Sequence, residues 1–222
     1  MSPVEDAPFT DGTLQFLFDL KANNTRDWFK ENKKAYEAAV KHPSRAFAEL
    51  MAGEIERLTG APHAAKLFRI NRDIRFTKDK TPYNTHIHIS WMPEADGASG
   101  PAWMFGLSTE YCTLGCGAFE FAKPMLESYR NTIAGPSGHQ LGEMMETLAT
   151  SGCRFTEPAL KRIPPGFPKG HSYPDLARHK GLAVWRDLVS PQSATQADIT
   201  ARCIDHYGEM LPFWRFLRDL GR

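Results

Sequence analysis

The sequence lacks the features that mark a membrane-spanning or secreted protein. No apolar run approaches the roughly 20 residues that cross a bilayer. The acidic N-terminal segment, residues 1–12, has no apolar stretch of the signal-peptide type. The four cysteines, at positions 112, 116, 153 and 203, form no CxxC pair. We therefore expect a cytoplasmic protein with its cysteines as thiols and no membrane partner.

The sequence also has little net charge and none of the common catalytic motifs. Its formal charge is +1, which argues against a general nucleic-acid binder because such proteins carry a broad excess of Lys and Arg. GxxxxGK[ST], GxGxxG, GxSxG, HExxH and the kinase signatures are absent. We predict no cofactor, and the sequence leaves open whether the protein is an enzyme.

What the sequence does have is a concentrated basic segment, KLFRINRDIRFTKDKTPY, at residues 66–83. Residues 66–80 contain six Lys or Arg and only two Asp, a local charge of +4. Apolar and polar residues alternate from Phe68 to Phe76, which predicts a β-strand beginning near residue 67. Alternate side chains of a strand share a face, so the strand would present together Arg69, Asn71, Asp73 and Arg75.

We interpret this basic cluster as an anion site. Guanidinium groups bind phosphate and carboxylate with two hydrogen bonds, so Arg69, Arg75 and Lys78 would hold the anion. Asn71 and His86 would orient it, and Asp73 would fix an arginine or act as a base. The Pro/Gly-rich loop 161–171 is either a lid or a surface connection; folded over the cluster, it would complete the site with Arg162 and His171. The candidate ligand-binding residues are Arg69, Asn71, Asp73, Arg75, Lys78, Lys80, His86 and Arg162.

Two other interpretations of the same cluster stay open. Its charges pair with acids on the helices and act as structural scaffold, or they contact an acidic partner protein in a non-catalytic interaction module. An exposed, shallow cluster would favour the interaction module, and a concave pocket would favour a small ligand. Arg72 falls on the apolar side of the predicted strand, and a buried guanidinium needs a carboxylate or several carbonyl groups, so we expect a structural role for it.

His86 and His88 have the spacing that places two imidazoles on one strand face, about 6.5 Å apart along the chain. Two histidines with a carboxylate such as Asp73 or Glu110 can bind zinc or iron. Because no spacing identifies the third ligand, we assign no metal site. A metal-dependent hydrolase is the least favoured alternative.

The predicted fold is a sheet flanked by helices. Helical spacing predicts helices over residues 10–60, the first with Leu14, Leu17, Phe18 and Leu20 as its apolar stripe. Period-two alternation predicts an antiparallel meander over 67–119, followed by helices and short strands over 124–222. Pro212 is expected to break or kink the last helix. We predict one α+β domain over residues 1–222, with four to six antiparallel strands between N- and C-terminal helices.

The block FRINRDIRFTKDKTPYNTHI resembles a family of bacterial and fungal conserved hypothetical proteins, domain of unknown function 2461. The segments FLFDLKANNTRDWFKENKKAYEAAV and LKRIPPGFPKGHSYPDLARHKGL resemble it as well, so the similarity covers nearly the whole chain. The family usually has a small residue where this chain has His88, and His88 therefore receives no family role. The resemblance implies one compact domain and supplies no reaction, cofactor or catalytic residue.

Overall fold

The computed structural model describes residues 7–95 and 100–220. The fold class is α+β, as predicted, with six strands in one open antiparallel sheet. The segment 93–101, whose Gly, Ala, Pro and Ser content predicts a loop, lies partly, at 96–99, outside the described residues. In chain order the strands are β1 (His63–Leu67), β2 (His86–Pro93), β3 (Ala102–Ser108), β4 (Cys112–Ala118), β5 (Arg154–Phe155) and β6 (Leu182–Asp187). Their order in the sheet is β1-β2-β3-β4-β6-β5, so the first four form a meander. Three of its strands lie within the predicted range 67–119, whereas its first strand, β1, lies before the strand that we predicted from Phe68 to Phe76.

Helices precede the sheet, follow β4 and end the chain. A π-helical turn at Glu37–Lys41 joins the short helices near the N-terminus to α4 without an intervening loop. None of the described helices is both long and apolar enough to cross a membrane. The helices are α1 (Asp11–Ala22), α2 (Arg26–Glu31), α3 (Lys33–Tyr36), α4 (His42–Thr59), α5 (Lys123–Ile133), α6 (Pro136–Thr150) and α7 (Ile199–Asp219), with 3₁₀ turns at Pro174–Arg178 and Pro191–Thr195.

The chain divides into two compact units, so the prediction of a single domain over 1–222 stays a prediction. The first unit comprises Met1–Trp91, Met104–Leu114 and Asp187–Ile204. Its core joins α4 to β2 through Phe47, whose ring contacts that of Trp91, and through the Trp91 indole N–H, which donates to the Ala48 carbonyl at 2.8 Å. Ile87, Ile89 and Trp91 are therefore buried, while the alternate residues His86 and His88 are only partly covered.

The second unit comprises Met92–Trp103, Gly115–Arg186 and Asp205–Arg222. Its core contains the stacked rings of Trp103 and Trp214. β4 and β6 approach so closely that a Cβ at Gly115 would lie 2.3 Å from the Val184 carbonyl oxygen. A glycine inside a strand permits such a close approach, so the contact supports a packing role for Gly115.

Two helix predictions need correction. In α1 the buried positions are Thr13, Phe16, Leu17 and Leu20, whereas Phe18 is 59% exposed, because the buried stripe is rotated by about one residue from the one we predicted. α7 continues through Pro212 without a break, so of the two predicted effects of this proline only the kink stays a prediction. Phe213 and Trp214 are fully buried directly after the proline, and this tertiary packing outweighs the lost backbone hydrogen bond.

Candidate functional site

The basic segment is a loop and not the predicted strand. We call residues 68–85 the basic loop; β1 ends before it and β2 begins after it. The two limbs of the loop meet where the Arg72 amide donates to the Pro82 carbonyl at 2.9 Å. In a regular antiparallel ladder, residue 82 would also donate its amide to the Arg72 carbonyl. Proline has no N–H, so the ladder is interrupted there. The predicted alternation fails as a result, and Phe76, expected on the apolar face, is 94% exposed.

Arg72 braces the two limbs of the basic loop. Its guanidinium donates to the Asp79 carboxylate at 2.5 Å and to the Thr81 carbonyl at 3.2 Å, and it also contacts the Thr81 hydroxyl. The backbone N–H of Thr81, followed by the guanidinium of Arg72, lowers the pKa of Asp79 to about 2. The predicted structural role of Arg72 is confirmed: it has found a carboxylate and a carbonyl within its own loop.

Asp73 and Arg75 form a second pair within the loop. The Arg75 Nε–H donates to Asp73 Oδ1 at 2.9 Å and its Nη2 donates to Oδ2 at 2.7 Å, which is two-pronged carboxylate recognition. The side-chain hydrogen bond from Arg75 lowers the pKa of Asp73. Of the two roles considered for Asp73, this geometry matches the fixing of an arginine.

The remaining cations of the segment have no carboxylate partner among the described residues. Lys80 donates to the Ile74 carbonyl at 2.9 Å. Lys66, at the end of β1, lies 4.9 Å from the centre of the Phe68 ring. The side chains of Arg69 and Lys78 make no hydrogen bond or ion pair within the described part of the chain. Both acids of the segment are thus occupied, and four positive charges are left over.

This cluster lies on the surface of the described part of the protein. The candidate residues on the loop are all exposed. The depression beside His86, lined also by Phe68, Ile70 and Tyr36, has a volume of only about 10 Å³, which is room for one water molecule. The geometry meets the condition that we set for an interaction surface. The exposed candidates are Arg69, Asn71, Asp73, Arg75, Lys78 and Lys80.

His86 and His88 share a strand face, as predicted, and their rings stack with centroids 3.9 Å apart. Burial, followed by the charge of Arg72, lowers the pKa of His86. Burial and the neighbouring His86 lower the pKa of His88 to about 4. Both imidazoles are therefore neutral near pH 7, and His86 would accompany an anion as a hydrogen-bonding group and not as a cation.

Sequence analysis missed the hydrogen-bond partner of His88. His88 Nε2 lies 3.0 Å from the Tyr111 hydroxyl. The two side chains meet beside Gly106 of β3, where a Cβ would lie 3.2 Å from the Tyr111 ring and 3.3 Å from the His88 ring. A glycine inside a strand was the available signal for such a close approach. The described residues contain no group of three His, Cys, Asp or Glu side chains able to hold a metal ion.

The last candidate, Arg162, belongs to the second unit. It is exposed in an irregular segment that precedes the 3₁₀ turn at Pro174–Arg178. His171 of the same segment packs on α6, where its ring lies 4.6 Å from that of His139. Closure of this segment over the basic loop stays a prediction.

Comparison with known proteins identifies the family. A family model described as conserved hypothetical protein (DUF2461) matches residues 12–216. No curated protein matches the chain. Since the match spans most of the sequence, including the whole basic loop, the chain belongs to the conserved hypothetical protein family DUF2461.

Proposed function

We propose that this protein binds phosphate- or carboxylate-bearing ligands through the basic loop. The observation that supports the proposal is the excess of positive over negative charges in the segment. Asp79 is engaged by Arg72 and Asp73 by Arg75, while Arg69 and Lys78 make no hydrogen bond or close ion pair with an acid among the described residues. The charge of Arg69 reaches Asp73 only as a weak contribution to its lowered pKa. The two ion pairs that stabilise the loop use Arg72 and Arg75, and the exposed Arg69 and Lys78 take no part in them, so their charges are available to a ligand.

The shape of the loop favours a ligand with several anionic groups. Exposed ion pairs are each worth only about 0.2–1 kcal/mol, so one phosphate on an open surface would gain little. Several carboxylates or phosphates on one partner would add these small terms, and an acidic segment of another protein has this character. Binding is the function that we propose, since the depression beside His86, at about 10 Å³, is too small to enclose a substrate. We also propose a cytoplasmic location, which the four free thiols support because reducing compartments keep cysteines unpaired.

Binding of inorganic tripolyphosphate and of poly-L-glutamate, followed by calorimetry at low and high salt, tests the proposal. The double variant Arg69→Ala/Lys78→Ala removes two unpaired cations, and we expect binding to weaken by roughly 2- to 30-fold. The matched control Lys33→Ala/Lys34→Ala removes the same charge from exposed positions of α3 and should change the affinity by less than about twofold. Equal losses of affinity in the two variants would mean that binding depends only on the net charge of the protein, and this result would contradict a site on the loop.

A further inference from the structure

We propose that the outer edge of β1 accepts an extended acidic peptide segment as an additional strand, beside the cations of the basic loop. The inference rests on the proposed function, because the loop cations would hold the carboxylates of the added segment. It goes further by naming the kind of partner and the backbone groups that bind it.

The position of β1 in the sheet leaves one of its sides without a neighbouring strand. β1 is the terminal strand of the sheet order, and β2 lies on its inner side. Directly after β1, the Phe68 amide donates to the His88 carbonyl of β2 at 3.0 Å. Because successive amides of an antiparallel strand point to opposite sides, the amide of Lys66 also points toward β2. The amides of Ala65 and Leu67 point away from it, toward the open edge.

The outer edge of β1 discriminates between possible partners for strand pairing. It has no proline, but β1, HAAKL, is short and carries Lys66, two features that protect an edge against another basic strand and that do not repel an acidic segment. α4 packs against β1, and His63 is buried, yet Ala64, Ala65 and Lys66 are exposed. The small side chains at 64 and 65 leave the backbone accessible. Five residues at about 3.4 Å each give an edge of roughly 17 Å, enough for a partner segment of similar length.

The positive charges beside the outer edge of β1 determine which kind of segment can pair with it. The chain passes from Lys66 of β1 directly into the basic loop, where Arg69 is unpaired among the described residues. A second copy of this protein pairing edge to edge would bring two basic segments together, and like charges across neighbouring strands are destabilising. An acidic segment places carboxylates against Lys66 and Arg69 instead. Phe68, 47% exposed at the end of the edge, offers an apolar contact for one side chain of the segment.

The test compares two substitutions at one exposed position. Ala65→Pro removes the outward amide, and a proline is tolerated on an edge strand because that amide is not part of the ladder. Ala65→Thr keeps the amide and favours the strand. The probe is a fluorescent ten-residue peptide with alternating Val and Thr flanked by Glu pairs, and tripolyphosphate serves as a second ligand. We expect the proline variant to bind the peptide about tenfold more weakly, the threonine variant to bind like the wild type, and both to bind tripolyphosphate normally.

The outcomes separate this inference from the proposed function. Unchanged peptide binding by a folded Ala65→Pro variant, with weaker binding by Arg69→Ala/Lys78→Ala, would overturn the added strand and keep the anion site. If the wild type binds neither the peptide nor tripolyphosphate, both the added strand and the anion site are overturned. If the proline variant does not fold, hydrogen exchange of the wild type decides: slower exchange of the Ala65 and Leu67 amides with peptide bound supports the inference, and unchanged exchange rejects it.

Discussion

Arg72 Nη1 lies 2.5 Å from Asp79 Oδ2 and joins the two limbs of the basic loop. The loop spans residues 68–85 without regular secondary structure, and loops longer than about 12–15 residues in compact proteins are usually functional or disordered. Here Lys80 adds a bond to the Ile74 carbonyl, and Asn24 bonds the backbone of Tyr83 at the base of the loop. These bonds hold the loop, including its unpaired cations, in a defined conformation.

The first prediction concerns the titration of Asp79. The Thr81 amide and the Arg72 guanidinium both stabilise its carboxylate, and its pKa is about 2. A depressed carboxyl pKa means that the bracing is fully present above the unfolded value of about 3.9 and is lost as the pH falls through about 2. In Arg72→Ala we expect the Asp79 midpoint to rise only part of the way, because the amide of Thr81 remains. NMR titration of the side-chain carboxyl measures it.

The matched control for that titration is Lys78→Ala, which removes a neighbouring charge that makes no bond to Asp79 within the described residues. It should leave the midpoint nearly unchanged. An equal rise in the two variants would mean that the general field of the loop, and not the bond from Arg72, lowers the pKa.

The second prediction is a pH dependence of stability that arises from His88. Its pKa is about 4 in the folded protein and about 6.5 in the unfolded chain. Between these values the unfolded chain binds a proton that the folded chain does not, so the free energy of unfolding falls as the pH falls from 6.5 toward 4. His88→Gln removes this titration and keeps a polar group near Tyr111. Urea denaturation at several pH values should give a smaller slope for the variant.

A slope remains in that variant because the pKa of His86 is also lowered. The comparison is therefore between two slopes and not between a slope and none. Identical slopes in variant and wild type would show that His88 is protonated equally easily in the folded and unfolded chains, and the burial argument for this imidazole would be wrong.

The sheet and the site differ in how far the sequence could predict them. Ile87, Ile89 and Trp91 alternate with polar residues, and β2 forms with them buried, because one buried face imposes period two. Phe68, Ile70, Ile74 and Phe76 alternate equally well, yet they form a loop. The difference lies in the opposing limb, where Pro82 interrupts pairing, and in the ion pairs that stabilise the loop locally. Alternation reports a strand only when a partner strand and a buried face exist.

The position of the basic cluster in the chain was predictable, and its internal pairing was not. Concentration of charge at residues 66–80 identifies the segment from composition alone. Which cations are satisfied depends on the turn geometry that brings Asp79 to Arg72 and not to Arg69. The hydrogen bond between His88 and Tyr111 depends on the order of three strands. Such contacts join residues that have no fixed spacing in sequence.

The third prediction tests the close approach of β4 and β6. In Gly115→Ala the new Cβ would lie 2.3 Å from a backbone oxygen of Val184, so the strands must move apart. We expect destabilisation of about 1–3 kcal/mol, as for other overpacked sites, measured by urea denaturation. Gly53→Ala is the opposite control: in α4 its Cβ meets nothing within 4 Å, and the better helix propensity should stabilise the protein by about 1 kcal/mol. A neutral Gly115→Ala would contradict the packing role of this glycine.

The fourth prediction concerns the cysteines, all four of which are buried and unpaired. Burial raises the pKa of the Cys112 thiol to about 12, and burial also raises the pKa values of Cys116 and Cys203. Since the thiolate is the reactive form, the native protein should react with Ellman's reagent far more slowly than the protein unfolded in guanidinium, which should release four equivalents. A Ser172→Cys variant supplies an exposed reference thiol. If a native cysteine reacts as fast as this reference, the fold opens at that cysteine on the time scale of the assay, and the packing around it is looser than the structure indicates.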